Sequence, residues 1–252
     1  MMTMSIKSLL MSRVDFIVGM FSQALTQVID LIFIWIVFQN VDTLQGWNSN
    51  QILFLYGLMM LSVGIEEVLF DELYDLGRFY IREGEFDSIV LRPVHPLISI
   101  IGATKNSAGY GYFILGLGLV ITMLIRLQIP ITILLICKII FFSIIGAFII
   151  GAVMVAASTA SFWTYRSNDV IWSFFRMYTM TQYPISIYNS FIKAILTCVI
   201  PFAFVAYFPA LHYLQIEPTN LIYLSPLVLI IIWFIVLKIW NFGLKKYKST
   251  GN

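Results

Sequence analysis

Charge is scarce in this chain: 11% of its 252 residues are Asp, Glu, Lys or Arg, against about 25% in a soluble globular protein. With 60% hydrophobic residues and a mean hydropathy of +0.91, the polar shell a compact soluble fold requires is missing, which leaves lipid as the solvent. A net charge of +2, spread over short gaps between apolar runs, argues against a broad basic face for nucleic acid. The two cysteines, Cys137 and Cys198, lie inside apolar runs, and two are too few for a disulfide framework or a zinc site. The stretch G-x-x-x-x-G-K-[ST] is absent, so the chain does not cradle a nucleotide triphosphate by that device. The longest charged gap, about 71–96, is too short to bury a core of its own, so no soluble domain is expected.

What is present is long apolar runs. A hydrocarbon core of about 30 Å needs roughly 20 mostly apolar residues per helix. Segments near 18–38, 51–70, 131–160 and 222–242 meet that standard plainly. A fifth, near 106–125, carries Gly109, Gly111, Gly116 and Gly118, which weaken a soluble helix but let membrane helices approach closely. Residues 169–213 are harder to read, because Pro184, Pro201 and Pro209 interrupt them and Arg176 and Lys193 lie inside; at most one full crossing plus something irregular fits. The expected total is six.

On this map Lys7, Arg13, Arg78, Arg82, Arg92, Arg166, Lys245, Lys246 and Lys248 share one side, while Arg126 and Lys193 fall on the other. The positive-inside bias then puts both termini in the cytoplasm. The two histidines, His95 and His212, fall on opposite sides, so they cannot form one metal centre or triad. Ahead of the first span, residues of about 3–16 mix apolar positions with Lys7, Arg13 and Asp15, suiting either an interfacial helix or a simple start of the span. The first apolar run comes late and no small-x-small cleavage pattern follows, so it is expected to be retained.

Chemistry-bearing residues fall in two places. The cytoplasmic gap 71–96 concentrates Asp71, Glu72, Asp75, Arg78, Arg82, Glu83, Glu85, Asp87 and Arg92, with Leu73, Leu76, Phe79, Tyr80 and Ile81 at near-helical spacing. Gly84 should break that run and the two prolines of "RPVHP" should extend the exit. This reads as a short amphipathic helix, either offered to a partner or resting on the membrane. In the first span Gln23, Gln27 and Asp30 follow i, i+4, i+7 spacing, a polar stripe that either lines a hydrated path or joins helices. Lys138 could pair with Asp30 or snorkel outward. Glu66 and Glu67, as helix neighbours, point about 100° apart and are expected to be boundary residues rather than a shared proton or metal site.

Three separated stretches, "GRFYIREGEFDSIVLRPVHPL", "QYPISIYNSFIKAILTCVIPFAFVAYFPALHYL" and "GLKKYKSTGN", resemble in the same order the integral-membrane permeases of ABC-2 type exporters, within their small six-span subgroup. The matching positions are Gly84, Glu85, Asp87, Leu91, Arg92, Pro93 and Pro96, then Tyr183, Pro184 and Tyr188, then Leu196, Thr197, Pro201, Ala203, Phe204, Tyr207, Pro209 and Ala210, then Tyr247, Ser249 and Gly251. Phe86, His95 and Asn189 depart from the family pattern.

The resemblance implies one all-α transmembrane domain over 1–252, with an N-terminal interfacial helix, a cytoplasmic coupling helix in loop 71–96 and a fifth span near 168–184. An outer re-entrant helical pair near 188–212 would carry Tyr183, Pro184, Tyr188, Pro201, Tyr207 and Pro209 at an outer gate. It implies that Arg78, Arg82, Glu83, Gly84, Glu85, Asp87, Arg92 and Pro93 couple to a separate ATPase subunit, which would bind ATP and Mg. A second permease chain, identical or related, would meet this one along the first, second and fifth spans, with Gln23, Gln27, Asp30 and Arg176 at the pathway or seam. The setting implied is the bacterial plasma (inner) membrane, and export is the implied direction.

Two other function classes compete. An ion-coupled secondary transporter could use Asp30, Lys138 and Arg176, but no repeat of spacing relates the first three spans to the last three, and the large charged loop occurs once. A membrane enzyme would need acid, base or metal ligands clustered at one interface, and none cluster in the sequence. Apolar and aromatic cavity walls suit many cargoes, so the sequence leaves the substrate unnamed.

Overall fold

The computed structural model describes residues 13–103, 106–164, 167–218, 220–247 and 249, and the side chains of all of these except 13–15 and 167. Among the described residues ten α-helices run in order: α1 Arg13–Asn40, α2 Ser49–Phe70, α3 Glu85–Val90, α4 Pro96–Ile101, α5 Ala108–Arg126, α6 Ile133–Ser158, α7 Ser167–Thr179, α8 Ser190–Ala194, α9 Tyr207–Leu214 and α10 Ser225–Leu244. Among the described residues the β content is one isolated bridge, Leu44 with Trp47. That bridge closes a tight turn in which Gln45 and Gly46 both take positive φ, the backbone twist a two-residue hairpin loop favours.

Among the described residues five helical stretches are long and apolar enough to cross a membrane: Phe16–Asn40, Ser49–Ile81, Ala108–Arg126, Ile133–Phe162 and Leu221–Leu244. The chain is a multi-pass, all-helical membrane protein. Its centre is α2, where 78% of the most apolar stretch is buried within the chain, against 11% for α1 and 17% for α10. The centrality of α2 follows from its glycines. A Cβ on Gly64 would meet the Phe113 backbone nitrogen at 2.6 Å and the Gly109 carbonyl at 2.8 Å, and one on Gly116 would meet the Leu61 nitrogen at 2.9 Å. Gly57 and Gly64 on α2 thus face Gly116 and Gly109 on α5, and the missing side chains let the two backbones touch, which in lipid replaces the hydrophobic drive that water would supply. Gly111 serves the α1–α5 contact against Met20, while Gly118 faces open space.

On its other flank α2 meets α6. Phe70 fits against Gly151, where any Cβ would collide with the Phe70 ring, and it stacks edge-on against Phe148. The Trp233 indole of α10 donates to the Phe148 carbonyl at 3.0 Å, fastening the last helix to the same point. The start of α2 is fixed by a reciprocal cap in which Asn48 and Gln51 each accept from the other's backbone N–H.

Several expectations need correction. Residues 1–12 of the expected interfacial helix lie outside the described residues, as do Lys7, Arg166, Lys248 and Gly251, and residues 13–16 simply begin α1. The second span does not stop at 70: helical structure continues through a 3₁₀ turn, Asp71–Leu73, and a π segment, Leu76–Ile81. The expected span 168–184 is helical over most of its length: the α-helix Ser167–Thr179 runs directly into a 3₁₀ turn, Met180–Gln182, and ends ahead of Pro184. The second span, expected at a seam with another chain, is instead enclosed by its own chain.

The helices Ser190–Val199 and Phe202–Leu214 form a pair bent by 78° around buried Pro201. Tyr207 stacks on buried Trp47 of the α1–α2 turn at 5.9 Å, and the His212 ring lies 5.3 Å from Tyr223, just ahead of α10. These contacts put the pair at the end of the bundle where α1 finishes and α10 starts.

Candidate functional site

At the opposite end of the bundle lies the charged segment. The π segment arises where the Phe79 and Tyr80 amides both reach the Asp75 carbonyl, at 2.8 and 3.4 Å, and the Arg82 amide reaches back to Gly77. This wider turn keeps Leu73, Leu76, Tyr80 and Ile81 buried while Arg78, Phe79, Arg82 and Glu83 turn outward. The Tyr80 hydroxyl donates to Glu72 at 2.7 Å. Gly84 then takes φ +81°, a left-handed conformation a larger residue resists, and the chain turns into α3.

On α3, Phe86 and Ile89 point inward. Phe86 lies 4.8 Å from Tyr247 and 5.5 Å from Phe162, and Phe162 in turn packs edge-on against Trp240 of α10 at 5.2 Å. Asp87 accepts from the Tyr247 hydroxyl at 2.8 Å and from the Ser249 hydroxyl at 2.6 Å. Asp87 was expected on the docking face with its neighbours; the structure turns it to the chain's own C-terminal segment. That contact also places the charged loop and the end of α10, with Lys245 and Lys246, at one end of the bundle. Burial raises the Tyr247 hydroxyl to about 12, with the hydrogen bond to Asp87 and its negative charge adding to the effect.

The surface facing away from the bundle is mixed. Arg78, Arg82, Glu83, Glu85, Arg92 and Pro93 are exposed, and among them Leu91 is 86% and Ile98 62% exposed, with Phe79, Val90 and Val94 close to half. Full burial of one such aliphatic side chain is worth about 1.5–3 kcal/mol. A charged surface interleaved with uncovered aliphatics and held on short helices pinned to the core has the make-up of a protein-docking face.

The second place is a cleft of about 530 Å³ enclosed by α1, α2, α5 and α7. It gathers the sequence-predicted stripe, since Gln23, Gln27 and Asp30 all line it. Gln27 is buried and accepts from the Tyr56 hydroxyl of α2, which also lies 3.3 Å from Asp30. The stripe is therefore tied to its own chain at Gln27, and open to the cleft at Gln23 and Asp30. Glu67, Asp71 and Asp75 enter the cleft from α2 and its extension, and Tyr112, Trp172, Phe175 and Tyr178 complete the walls.

Here too the sequence reading requires correction. Glu66 and Glu67 are not boundary residues: they are 0% and 8% exposed. The available signal was the apolar pattern running on past them, through Val68, Leu69, Phe70, Leu73 and Leu76. Tyr56, Tyr112 and Tyr178 were missed because single tyrosines in apolar runs carry no spacing signal. Lys138 does not meet Asp30; it lines a different cleft with Thr132, His212 and Gln215. Arg176 is exposed on α7 and is not among the residues of the acidic cleft. Of the three residues a secondary transporter was expected to combine, only Asp30 lines this cleft.

Of the expected outer-gate residues, Pro184, Pro201 and Pro209 are buried and Tyr183, Tyr188 and Tyr207 half-buried. The Tyr188 hydroxyl donates to the Met180 carbonyl at 3.1 Å. Pro209 sits in the first turn of α9, where its missing N–H costs no helical bond. Beside this pair an apolar groove of about 410 Å³ opens between Cys198, Pro201, Phe208 and the outer half of α10. Among the described residues no group of three His, Cys, Asp or Glu side chains is arranged to hold a metal ion.

Compared with protein-family models, the chain matches the one described as ABC-2 family transporter protein, over residues 24–251. No curated protein and no solved structure matches it.

Proposed function

Because this chain belongs to the ABC-2 family of transporter proteins, and is therefore a membrane transporter component rather than a catalyst, we propose that it forms half of the transmembrane pathway of an exporter. A separate ATPase subunit, holding ATP and Mg, drives it through the segment 71–96. A second permease chain, identical or related, completes the pathway. The observation that carries this reading is the outward-turned row of Arg78, Arg82, Glu83, Glu85 and Arg92 set around the uncovered Leu91 and Ile98. Membrane exposure explains bare aliphatics on α1 or α10, where lipid covers them; it does not explain bare aliphatics among five exposed charges beyond the end of a span.

Linkage supplies the mechanism. A partner that changes shape on binding nucleotide can move this segment only if it binds one membrane conformation more tightly than another. The segment is suited to pass that difference on, because α3 is fastened to the end of α10 through Asp87 and Phe86 while the π segment continues α2. In this reading the loop lies in the cytoplasm with both termini, in the bacterial inner membrane, following the concentration of basic residues at that end. Between the loop end and the outer end the chain crosses through α7 and the turns up to Tyr188, and the bent pair 190–214 serves as an outer gate.

Affinity purification of the full chain, co-expressed with an ABC ATPase subunit from the same genome, tests the reading. The ATPase is expected to co-purify with wild type and to be lost on combining Arg78→Glu with Glu85→Lys or on Leu91→Asp alone. Undiminished recovery in both variants rules out docking through this segment.

A further inference from the structure

The acidic cleft has a composition that calls for a particular occupant. Four carboxylates line it, those of Asp30, Glu67, Asp71 and Asp75, and no Lys, Arg or His is among its described lining residues. Glu67 is more than nine-tenths buried, and its Oε2 has no hydrogen-bond partner among the described residues. Asp71 is half-buried and hydrogen-bonded to the Asn106 side chain. A carboxylate removed from water costs several kcal/mol unless a counter-charge or hydrogen bonds compensate. Among the described lining residues nothing supplies that counter-charge, and a positive charge entering the cleft would.

The aromatic part of the lining says what kind. Trp172 and Phe175 of α7 lie 5.0 Å apart, and Tyr74 joins them at 6.1 and 5.7 Å, giving three aromatic rings that line the cleft with the acids. Ring faces attract cations, and most strongly when water is excluded. A proton alone would neutralise Glu67, yet it would have no use for an aromatic wall. A metal ion needs convergent ligands, and no such group occurs among the described residues. A cleft of about 530 Å³ falls within the size range of small-molecule sites.

We propose that this cleft binds an organic cation, an ammonium, guanidinium or phosphonium group carried on an apolar body, with Glu67 and Asp71 countering the charge and the rings of Trp172, Phe175 and Tyr74 packing beside it. The inference rests on the transporter reading above and names the class of its cargo. Thr26 of α1 and Asp75 are the exposed polar residues at its rim.

The test uses the full chain in nanodiscs of neutral phosphatidylcholine, with empty discs subtracted. Two probes of matched shape and opposite charge are compared, tetraphenylphosphonium and tetraphenylborate. Saturable binding is expected for the phosphonium and not for the borate. Glu67→Gln and Asp71→Asn, tested separately because each keeps the shape of the side chain, are each expected to weaken phosphonium binding at least fivefold. Equal saturable binding of both ions, or a smaller loss in both variants, overturns the proposal. The ion preference of the wild-type chain stands as evidence whether or not either variant folds. No ATPase is present in this assay, so its failure leaves the co-purification result untouched, and loss of co-purification leaves the charge preference standing.

Discussion

The Tyr247 hydroxyl donates to the Asp87 carboxylate at 2.8 Å, joining positions 160 residues apart. Beside it the Tyr247 ring closes on Phe86 at 4.8 Å. The bond is charge-assisted, a class worth about 1.5–3 kcal/mol when sheltered, but Tyr247 is only half-buried, so the low end of that range applies. Tyr247→Phe keeps the ring contacts and removes the bond. It is expected to lower thermal stability in detergent by about 1 kcal/mol, given that screening by solvent, and Asp87→Ala by more, because the Ser249 hydroxyl then also loses this acceptor. A double-mutant cycle should show coupling between the two positions; strict additivity would mean the contact contributes nothing.

The same pair predicts a response to alkali. Burial, then the bond to Asp87 and its charge, raises the Tyr247 hydroxyl from 10.0 to about 12. Between these values the unfolded chain has released the proton and the folded chain still holds it, so the unfolded state binds fewer protons and stability falls as pH rises. The contribution is complete below pH 10 and gone above about 12. Other tyrosines titrate in the same window, so the measurement is the difference between wild type and Tyr247→Phe across it. The gap between the two should narrow with rising pH; a constant gap contradicts the shift.

The helix contact between α2 and α5 predicts a contrast between two glycines. A Cβ on Gly64 would lie 2.6 Å from the Phe113 backbone nitrogen, whereas Gly118 has open space around it. Backbone cannot rotate away as a side chain can, so Gly64→Ala must part the helices, and overpacking of this kind costs about 1–3 kcal/mol. Gly118→Ala should be neutral or stabilise slightly, since alanine loses less entropy in a helix. Melting curves of the two variants check this, and equal effects would show that the close approach is absent.

Much of this architecture was legible in the sequence, for physical reasons that differ by element. Apolar run length located the crossing helices because lipid thickness dictates it. Glycine density in 106–125 pointed to close packing, and Gly84 to a break, because each rests on a local steric rule. The misreadings share a different cause. Asp87 looked like one more exposed charge because its partner lies 160 residues away. Glu66 and Glu67 looked like a helix end because charge normally marks one, and only the packing of α2 against α5 and α6 shows them buried. The stretch around 168–184 gave no clear run length, since Arg176 and Pro184 interrupt it, and its bounds came from the resemblance; its helical structure ends at Gln182. Local rules reveal local structure; the acidic cleft, assembled from four helices, had no local signature.

The polar knot inside that cleft gives the last prediction. Tyr56 donates to Gln27 and lies 3.3 Å from Asp30, so Tyr56→Phe leaves a buried amide oxygen without this donor. In water-soluble cores an orphaned acceptor costs about 1–3 kcal/mol, but hydrogen bonds between membrane helices average about 0.6 and reach about 1.7 kcal/mol. Gln27 is 2% exposed, while the adjoining cleft can admit water to Asp30, so the loss should fall between these figures, near 1 kcal/mol. Asp30→Asn keeps an acceptor for Tyr56 and should cost less in stability, yet it removes one of the four cleft charges. The expected pattern is therefore crossed: Tyr56→Phe lowers the melting temperature with phosphonium binding retained, and Asp30→Asn weakens phosphonium binding with the melting temperature retained. If both substitutions moved the two readouts together, the knot and the cleft would be one unit, and Asp30 would act through the packing of α1 against α2 rather than through its charge.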